Sequence, residues 1–326
     1  MAASHNLRSF IKRLAYAGLA SSTFTAVAAE RFTSPPAAFT AGFAVRYQNA
    51  SSPNRVRTLA VLPEETVTFE VVNQGAESGH VALPADGELV YEDTGQWVWT
   101  SPSKPGLYPI HVVAPDGEDA VTLQAFVVVP YDRLEGDFLN GYRIGRYPEK
   151  PLRGLTDYKK PAGFIEVTPE NEDILVSPHF RLGQFLCKQP ADSKKYVVLN
   201  EKLLLALEYA LEKVNEAGYR VNTFHIMSGY RTPAYNRALG NVHYSMHLWG
   251  AAADIFIDTN EDGMMDDLNG DGRSDILDAQ ILYKLIDAAA ARPEAKGLIG
   301  GLGKYASTAA HGPFVHIDVR ERTARW

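Results

Sequence analysis

The sequence predicts a multidomain chain, an N-terminal all-β sandwich followed by an α+β domain. Three observations predict it. Between Leu59 and Pro130, short apolar runs alternate with turn formers and no helical period appears. From Asn200 onward, an amphipathic helical pattern is followed by strand-like pieces and a second helical pattern. The chain has 326 residues, 45% apolar and 22% charged, enough for two cores at ~150 residues per domain. Mean hydropathy is −0.19, and after the first thirty residues no apolar run reaches the length a bilayer requires. A multi-pass membrane protein, a fibrous chain and a wholly disordered one are thereby excluded. Net charge is −7 and pI about 5.7, so no nucleic-acid footprint is expected. The single cysteine, Cys187, excludes an internal disulfide framework and a thiolate zinc cluster. Any metal site must be built from histidines and carboxylates.

Residues 1–28 carry Arg8, Lys12 and Arg13, no acid, then an apolar stretch ending Ala26-Val27-Ala28. This pattern reads as a signal peptide and predicts export to the periplasm or the extracellular space, with no transmembrane segment left after cleavage. Its removal takes the net charge from −7 to −10, because those three cations leave with it. Residues 29–57, rich in Pro, Ser, Ala and Asn, read as a linker or a first edge strand. Residues 58–130 hold seven strand-like runs (LAVL, TVTFEVV, HVAL, ELVYE, QWVWT, LYPIHVV, VTLQAFVVV) separated by turns such as Ala85-Asp86-Gly87 and Pro115-Asp116-Gly117. That spacing predicts an antiparallel sandwich of immunoglobulin-like (Ig-like) type. Trp97 and Trp99, two residues apart on one strand, share a face and read as core. No chemistry is visible in this module, which reads as a spacer or a docking domain for a protein partner.

Residues 131–164, dense in Gly, Pro, Tyr and Lys, read as a second linker, and 165–326 as the α+β domain. Asn200 is a fitting N-cap. Leu203, Leu204, Leu207, Leu211 and Val214 recur at helical spacing, and Gly218 stands where a C-cap glycine belongs. A second helix is predicted over Ala279–Ala291, and strands over Thr223–Met227, Ala252–Ile257 and Phe314–Val319.

Two short segments concentrate metal-ligand chemistry: Ser245-Met246-His247-Leu248-Trp249-Gly250-Ala251-Ala252-Ala253-Asp254 and His311-Gly312-Pro313-Phe314-Val315-His316-Ile317-Asp318. On one helix, His247 and Asp254 would stand about 10 Å apart along the axis, an awkward span for a single ion. A turn at Gly250 running into a strand would bring them together. His247, Asp254 and His316 would then hold zinc and leave a position open. By spacing alone, a core or surface histidine is the ordinary explanation of such a pair.

The motifs carry a resemblance. Ser228-Gly229-Tyr230-Arg231-Thr232-Pro233, the Ser-x-His-x-x-Gly-x-Ala-x-Asp pattern at 245–254, Gly300-Gly301-Leu302-Gly303-x-Tyr305 and Phe314-Val315-His316-Ile317-Asp318 resemble, in this order, the M15 family of zinc peptidases. Within it they look most like the periplasmic murein endopeptidases, relatives of the D-Ala-D-Ala carboxypeptidases, and the closing Ala324-Arg325-Trp326 fits that branch. The resemblance spans roughly residues 165–326. It implies a hedgehog/DD-peptidase type of fold and catalytic zinc on His247, Asp254 and His316. It also implies that Arg231 lies near the metal to bind substrate or the developing oxyanion, and that the substrate is peptidoglycan. In one respect the sequence departs from the pattern. Several relatives carry a carboxylate, the general base, three residues before the last zinc histidine, and here that position is Pro313. The base is then expected at Asp318, two residues after His316 on the same strand face, or at His311. An exchange of roles, Asp318 as ligand and His316 as base, preserves the face and stays open.

Residues 258–278 form an acidic insert with a nine-residue repeat: Asp258/Asp267, Asn260/Asn269, Asp262/Asp271, Gly263/Gly272, Asp266/Asp275. The D-x-N-x-D-G core resembles EF-hand and dockerin-type calcium loops. Asp278 completes the twelve-residue form of the second copy, while Asn269 occupies that position in the first. Eight acids and one arginine give the insert a charge of −7, which predicts structural calcium bracing the neighbouring Asp254.

His80 and His111 read as structural or exposed, His225 as core packing or a contact behind the site, His243 as out of the motif pattern but open to substrate contact, and Cys187 as buried and inert; only His179 has no partner that the sequence identifies. The expected function is zinc-dependent hydrolysis of peptidoglycan stem peptides or cross-links, as an endopeptidase or a carboxypeptidase. Two rivals stay open: a non-hydrolytic murein-binding scaffold with a degenerate site, as Pro313 permits, and a secreted zinc peptidase acting on non-murein peptides.

Overall fold

The computed structural model describes residues 39–72, 79–92, 95–191 and 194–326. The signal-peptide reading of residues 1–28 lies outside them. The first ten strands are β1 (Thr40–Tyr47), β2 (Ala50–Asn54), β3 (Val56–Val61), β4 (Thr66–Val72), β5 (Val81–Pro84), β6 (Glu88–Tyr91), β7 (Gln96–Thr100), β8 (Gly106–Leu107), β9 (Ile110–Val113) and β10 (Ala120–Val127). They form two five-stranded sheets, one ordered β2-β1-β4-β7-β6 and the other β3-β10-β9-β5 with β8 beside β10. Alternating side chains of both sheets meet in one core. Val45, Phe69, Trp97, Trp99, Ile110, Val121 and Leu123 lie in it. All seven predicted runs are strands, and both tryptophans face the core.

Two expectations need correction. The antiparallel sandwich contains a parallel pair, since β10 runs alongside β3 from Thr122↔Val56 to Val127↔Val61. Of the two readings of residues 29–57, linker or first edge strand, the structure gives strand over 40–54: β1 and β2 are full members of the first sheet, with β2 at its edge. Their polar composition misled because a strand with one solvated face needs apolar residues only at alternate positions. In β1 these are Ala41, Phe43, Val45 and Tyr47, all buried.

β10 leads directly into the second domain. Val121, Leu123, Ala125 and Val127 face the sandwich core, and Phe126, on the opposite face, joins the core of the α+β domain. Then come β11 (Val129–Pro130), β12 (Phe138–Leu139), β13 (Tyr142–Arg143), β14 (Gly163–Val167), β15 (Leu175–Ser177), β16 (Phe180–Arg181) and β17 (Lys195–Val197). They are followed by α1 (Glu201–Glu216), β18 (His225–Ser228), α2 (Pro233–Ala238), β19 (Ala252–Phe256), α3 (Ile276–Ala290), β20 (Gly301–Tyr305), β21 (Phe314–Asp318) and β22 (Ala324–Arg325). Helix α1 starts as predicted, with the Asn200 side chain accepting from Lys202 N–H. Helix α3 begins three residues earlier than expected, because Asp275 caps it. No helix among the described residues is long and apolar enough to cross a membrane.

The stretch 131–164 also proves not to be a linker. Leu139, Tyr142, Ile144, Tyr147 and Tyr158 are buried in the same core as α1 and the large sheet. The Gly, Pro and Tyr content that looked like a connector builds a hairpin and tight turns whose aromatics point inward. The two domains are tied by Arg57 on β3, buried, whose guanidinium lies 2.6 Å from Glu201 at the start of α1. Thr58 Oγ1 donates to the Val176 carbonyl at 2.6 Å.

Candidate metal centre

The frame of the site is the five-stranded sheet β18-β19-β21-β20-β22. Antiparallel pairing puts Asp254 on β19 opposite His316 on β21 and opposite Ser228 on β18. His247 arrives from a short 3-10 turn, Met246–Trp249. Gly250 ends this turn at φ 59°, and a Cβ there would stand 1.9 Å from the Val198 carbonyl oxygen, so only glycine fits. That turn folds His247 back over the start of β19 and removes the long helical span between His247 and Asp254. One ligand atom each from His247, Asp254 and His316 lies within 4.8 Å of the others, and all three residues are buried.

The arrangement of protons decides what this group can hold. His247 Nδ1 sits 2.6 Å from the Gly229 carbonyl, which can only accept, so Nδ1 carries the proton and Nε2 turns a lone pair inward. That Nε2 lies 3.3 Å from Asp254 Oδ1 and 3.3 Å from His316 Nδ1. On the far edge of its ring, His316 Nε2 faces Asp318 Oδ2 at 3.1 Å, and its Nδ1 faces Asp254 Oδ1 at 2.8 Å. Two ring nitrogens and a carboxylate thus converge in a buried pocket, with the outer nitrogens tied to a carbonyl and a carboxylate. A buried N,N,O donor set of this kind suits zinc, and outward hydrogen bonds of this kind hold ligating histidines in the right tautomer. Zinc fits these residues.

Burial pushes His247 below the usual imidazole range, against the attraction of Asp254. Burial likewise opposes charge on His316, but its hydrogen bonds to Asp254 and Asp318 prevail and push it up to about 9. Burial opposes ionisation of Asp254 too, yet His247 and His316 hold its carboxyl well below the usual range. A divalent cation on the inner nitrogen of His316 would take the place of the proton there.

The other expected site residues fall out as follows. Arg231 is at the site: its Nη2 donates to Asp254 Oδ2 at 2.5 Å and its Nε to Ser228 Oγ at 2.8 Å. Asp318 is a correction, both as general base and as exchanged ligand. It is fully buried on the outer edge of His316, where it accepts from Gly301 N–H at 2.9 Å and is clamped by the Arg320 guanidinium. A carboxylate so held orients His316 and does not reach the converging face. His311 stands in the loop before β21, its Nδ1 2.8 Å from the Gly312 carbonyl and its ring edge-on to Phe314 at 5.0 Å.

Sequence reasoning missed four contributors. Arg320 and the Gly229 carbonyl fix the two histidines from outside. The glycines of the 300–303 motif make room: a Cβ on Gly301 would meet Asp318 at 2.2 Å, and one on Gly303 would meet the Trp326 indole at 2.3 Å. The fourth is Tyr147, whose buried hydroxyl donates to the Leu248 carbonyl at 2.7 Å and meets Tyr230 OH at 3.0 Å. It thereby joins the turn that carries His247 to the loop that carries Gly229 and Arg231. Gly229 and the glycines of 300–303 stood in the quoted motifs without a structural role, whereas Arg320 and Tyr147 left no signal of theirs in the sequence.

The acidic insert folds as two copies of one loop. Asp258 accepts from the N–H groups of Asp262 and Gly263, both at 3.0 Å. Asp267 accepts from Asp271 and Gly272 at 3.2 and 2.6 Å, and the Gly272 N–H in particular holds its carboxyl below the usual range. Asn260 and Asn269 each accept from the residue two on. Asp266 takes Thr259 N–H and Oγ1, and Asp275 caps α3. Asp278, fully buried, accepts from Leu268, Asn269 and Asp275 N–H. Among the described residues the only group of three His, Cys, Asp or Glu donors gathered closely enough for a metal is His247, Asp254 and His316. The structure therefore does not support calcium on the insert.

His225 stacks on Phe256 and lies 3.2 Å from Asp258, while His179 binds Glu208 at 2.6 Å. Both have structural partners. Comparison with curated proteins gives no match, and comparison with solved structures gives none. A family model described as Peptidase M15 matches residues 178–269, a stretch that holds Arg231, His247 and Asp254 and ends before His316. The match supports placing the α+β domain among the peptidases of the M15 family.

Proposed function

We propose that the protein is an exported zinc peptidase that hydrolyses peptidoglycan stem peptides or cross-links. The observation that carries the peptidase reading is the buried convergence of His247 Nε2, Asp254 and His316 Nδ1 within 4.8 Å, inside a domain matched in part by the M15 model. When bound, zinc polarises a scissile carbonyl and makes water acidic enough to be deprotonated near neutral pH. The rest falls to the chain's own residues. Gly229 and Asp318 lock the histidine tautomers, and Arg320 holds Asp318. Arg231 orients Asp254 and, with its side chain 15% exposed, offers cationic N–H groups to a substrate carbonyl or carboxylate. With Asp318 committed to His316, His311 is the residue left to take and return the proton. The peptidoglycan substrate rests on the motif resemblance, and export on the pattern of residues 1–28.

Calcium in the insert belongs to the same reading, supported by the doubled D-x-N-x-D-G sequence. The sandwich is read as an Ig-like docking module for a protein partner. The test is incubation of the zinc-loaded protein with cross-linked sacculi, with muropeptides read by mass and His247→Ala run beside it. Conversion of dimers to monomers by the intact protein alone supports an endopeptidase, and loss of terminal D-Ala alone a carboxypeptidase. Inert sacculi with full zinc remove the murein substrate. Casein digestion would then favour a peptidase of other peptides, and its absence a non-hydrolytic scaffold, the reading that Pro313 at the usual base position favours.

A further inference from the structure

The metal group sits at the middle of its sheet, on β19 and β21, and the two flanks differ in chemistry. On the β18 side stands Arg231. On the β20–β22 side stand three aromatic rings. Tyr305 and Phe314 are cross-strand partners stacked at 4.6 Å with ring planes 10° apart. The Trp326 ring lies 5.4 Å from the His316 ring, in the space left by Gly303. Its backbone is bonded to β20 at both N–H and carbonyl, as Trp326 N to Leu302 O and Lys304 N to Trp326 O, each at 3.2 Å.

The indole is fixed from behind yet open in front. Its N–H donates to Tyr305 OH at 2.6 Å. The Arg320 guanidinium lies 5.4 Å from the ring and is already bound to Asp318. Trp326 nevertheless remains 41% exposed and Tyr305 37% exposed. With the one polar atom of its side chain satisfied, the indole offers carbon. An apolar surface anchored by these bonds one ring away from a metal-ligand histidine is placed to meet the residue that flanks the bond being cut.

We propose that Trp326 and Tyr305 form the recognition surface for an aliphatic side chain on that flanking residue, while Arg231 holds a polar group of the substrate on the opposite flank. The peptide then lies across the strands, with a fixed direction. This assignment rests on the zinc-peptidase reading but not on peptidoglycan as substrate.

The test titrates the zinc-loaded full chain calorimetrically with glycine hydroxamate and with D- and L-alanine hydroxamates, which need no turnover. Burying one methyl group corresponds to about four-fold in affinity. The better alanine enantiomer is expected to bind about four-fold tighter than glycine hydroxamate. In Trp326→Ala that ratio is expected to fall to about one, with zinc content and glycine hydroxamate affinity unchanged. Trp326→Gln, which refills the space with a polar group, is expected to do the same if the alanine variant loses its metal. A preserved ratio in either zinc-loaded variant, or no preference in the wild type, overturns the proposal. So does loss of zinc in both variants, which makes the indole a prop of the metal site. Inert sacculi together with a Trp326-dependent preference remove only the murein substrate.

Discussion

The His/Asp/His group and the acidic insert both read as metal sites in the sequence, and the fold treats them differently. In the first, donors that lie seven and 62 residues apart are brought together by one strand pairing and one glycine turn. Their inner atoms face each other and their outer atoms are tied down. In the insert the acids are close in sequence, and each loop turns them toward its own N–H groups. Local repetition thus builds a loop whose carboxylates accept from its own N–H groups, whereas convergence from separate elements leaves buried donors that only a cation or proton can reconcile. Density of acids is a weaker sign of a metal than donors imported from different strands.

The comparison breaks if removing a convergent donor has little effect. Asp254→Asn is expected to abolish hydrolysis and strip zinc, since it removes the anionic donor and frees Arg231, as read by activity and metal content after dialysis. A smaller loss is expected at the outer ring. Asp318→Asn should weaken zinc by about 10–100-fold in chelator competition, the usual cost of disturbing a residue that orients a ligand histidine. Next comes Tyr147→Phe. It leaves the Leu248 carbonyl without its donor and should cost about 1–3 kcal/mol of stability in denaturant unfolding, with weaker zinc binding than wild type. The smallest effect on zinc is expected at the insert. Calcium should raise Tm, by about 2.7 kcal/mol of stability at one hundred times its Kd. Asp267→Ala with Asp271→Ala should cancel that rise, while zinc affinity stays within two-fold (roughly 0.4 kcal/mol). A large loss of zinc on calcium removal would instead bear out the expectation that calcium in the insert braces Asp254.

Much of this was legible in the sequence, for reasons particular residues show. The leucine spacing and caps of α1 and the seven alternating runs of the sandwich declare themselves because each is written in local order. The His247, Asp254 and His316 group was legible through motif order, and Gly250 was correctly placed as the turn. What failed was judged from composition or from strand parity. β1 is an inner strand whose alternate apolar residues are diluted by polar neighbours. The 131–164 stretch hides Tyr147 and Tyr158 among Gly and Pro, and its burial is set by tertiary contacts with Trp249 and Leu248. Asp318 does share the face of His316, but parity cannot say which edge of an imidazole a neighbour will meet. Arg320 and Gly301 decide that, and their roles exist only once β20 and β21 pair.

The most direct test of the zinc centre is metal content after exhaustive dialysis, combined with zinc-edge X-ray absorption, on wild type and Asp254→Ala. The account predicts one zinc per chain in the wild type, with two imidazoles and oxygen but no sulfur in its shell, and none in the variant. A wild type that holds no zinc, or a variant that keeps it, would contradict the assignment of His247, Asp254 and His316.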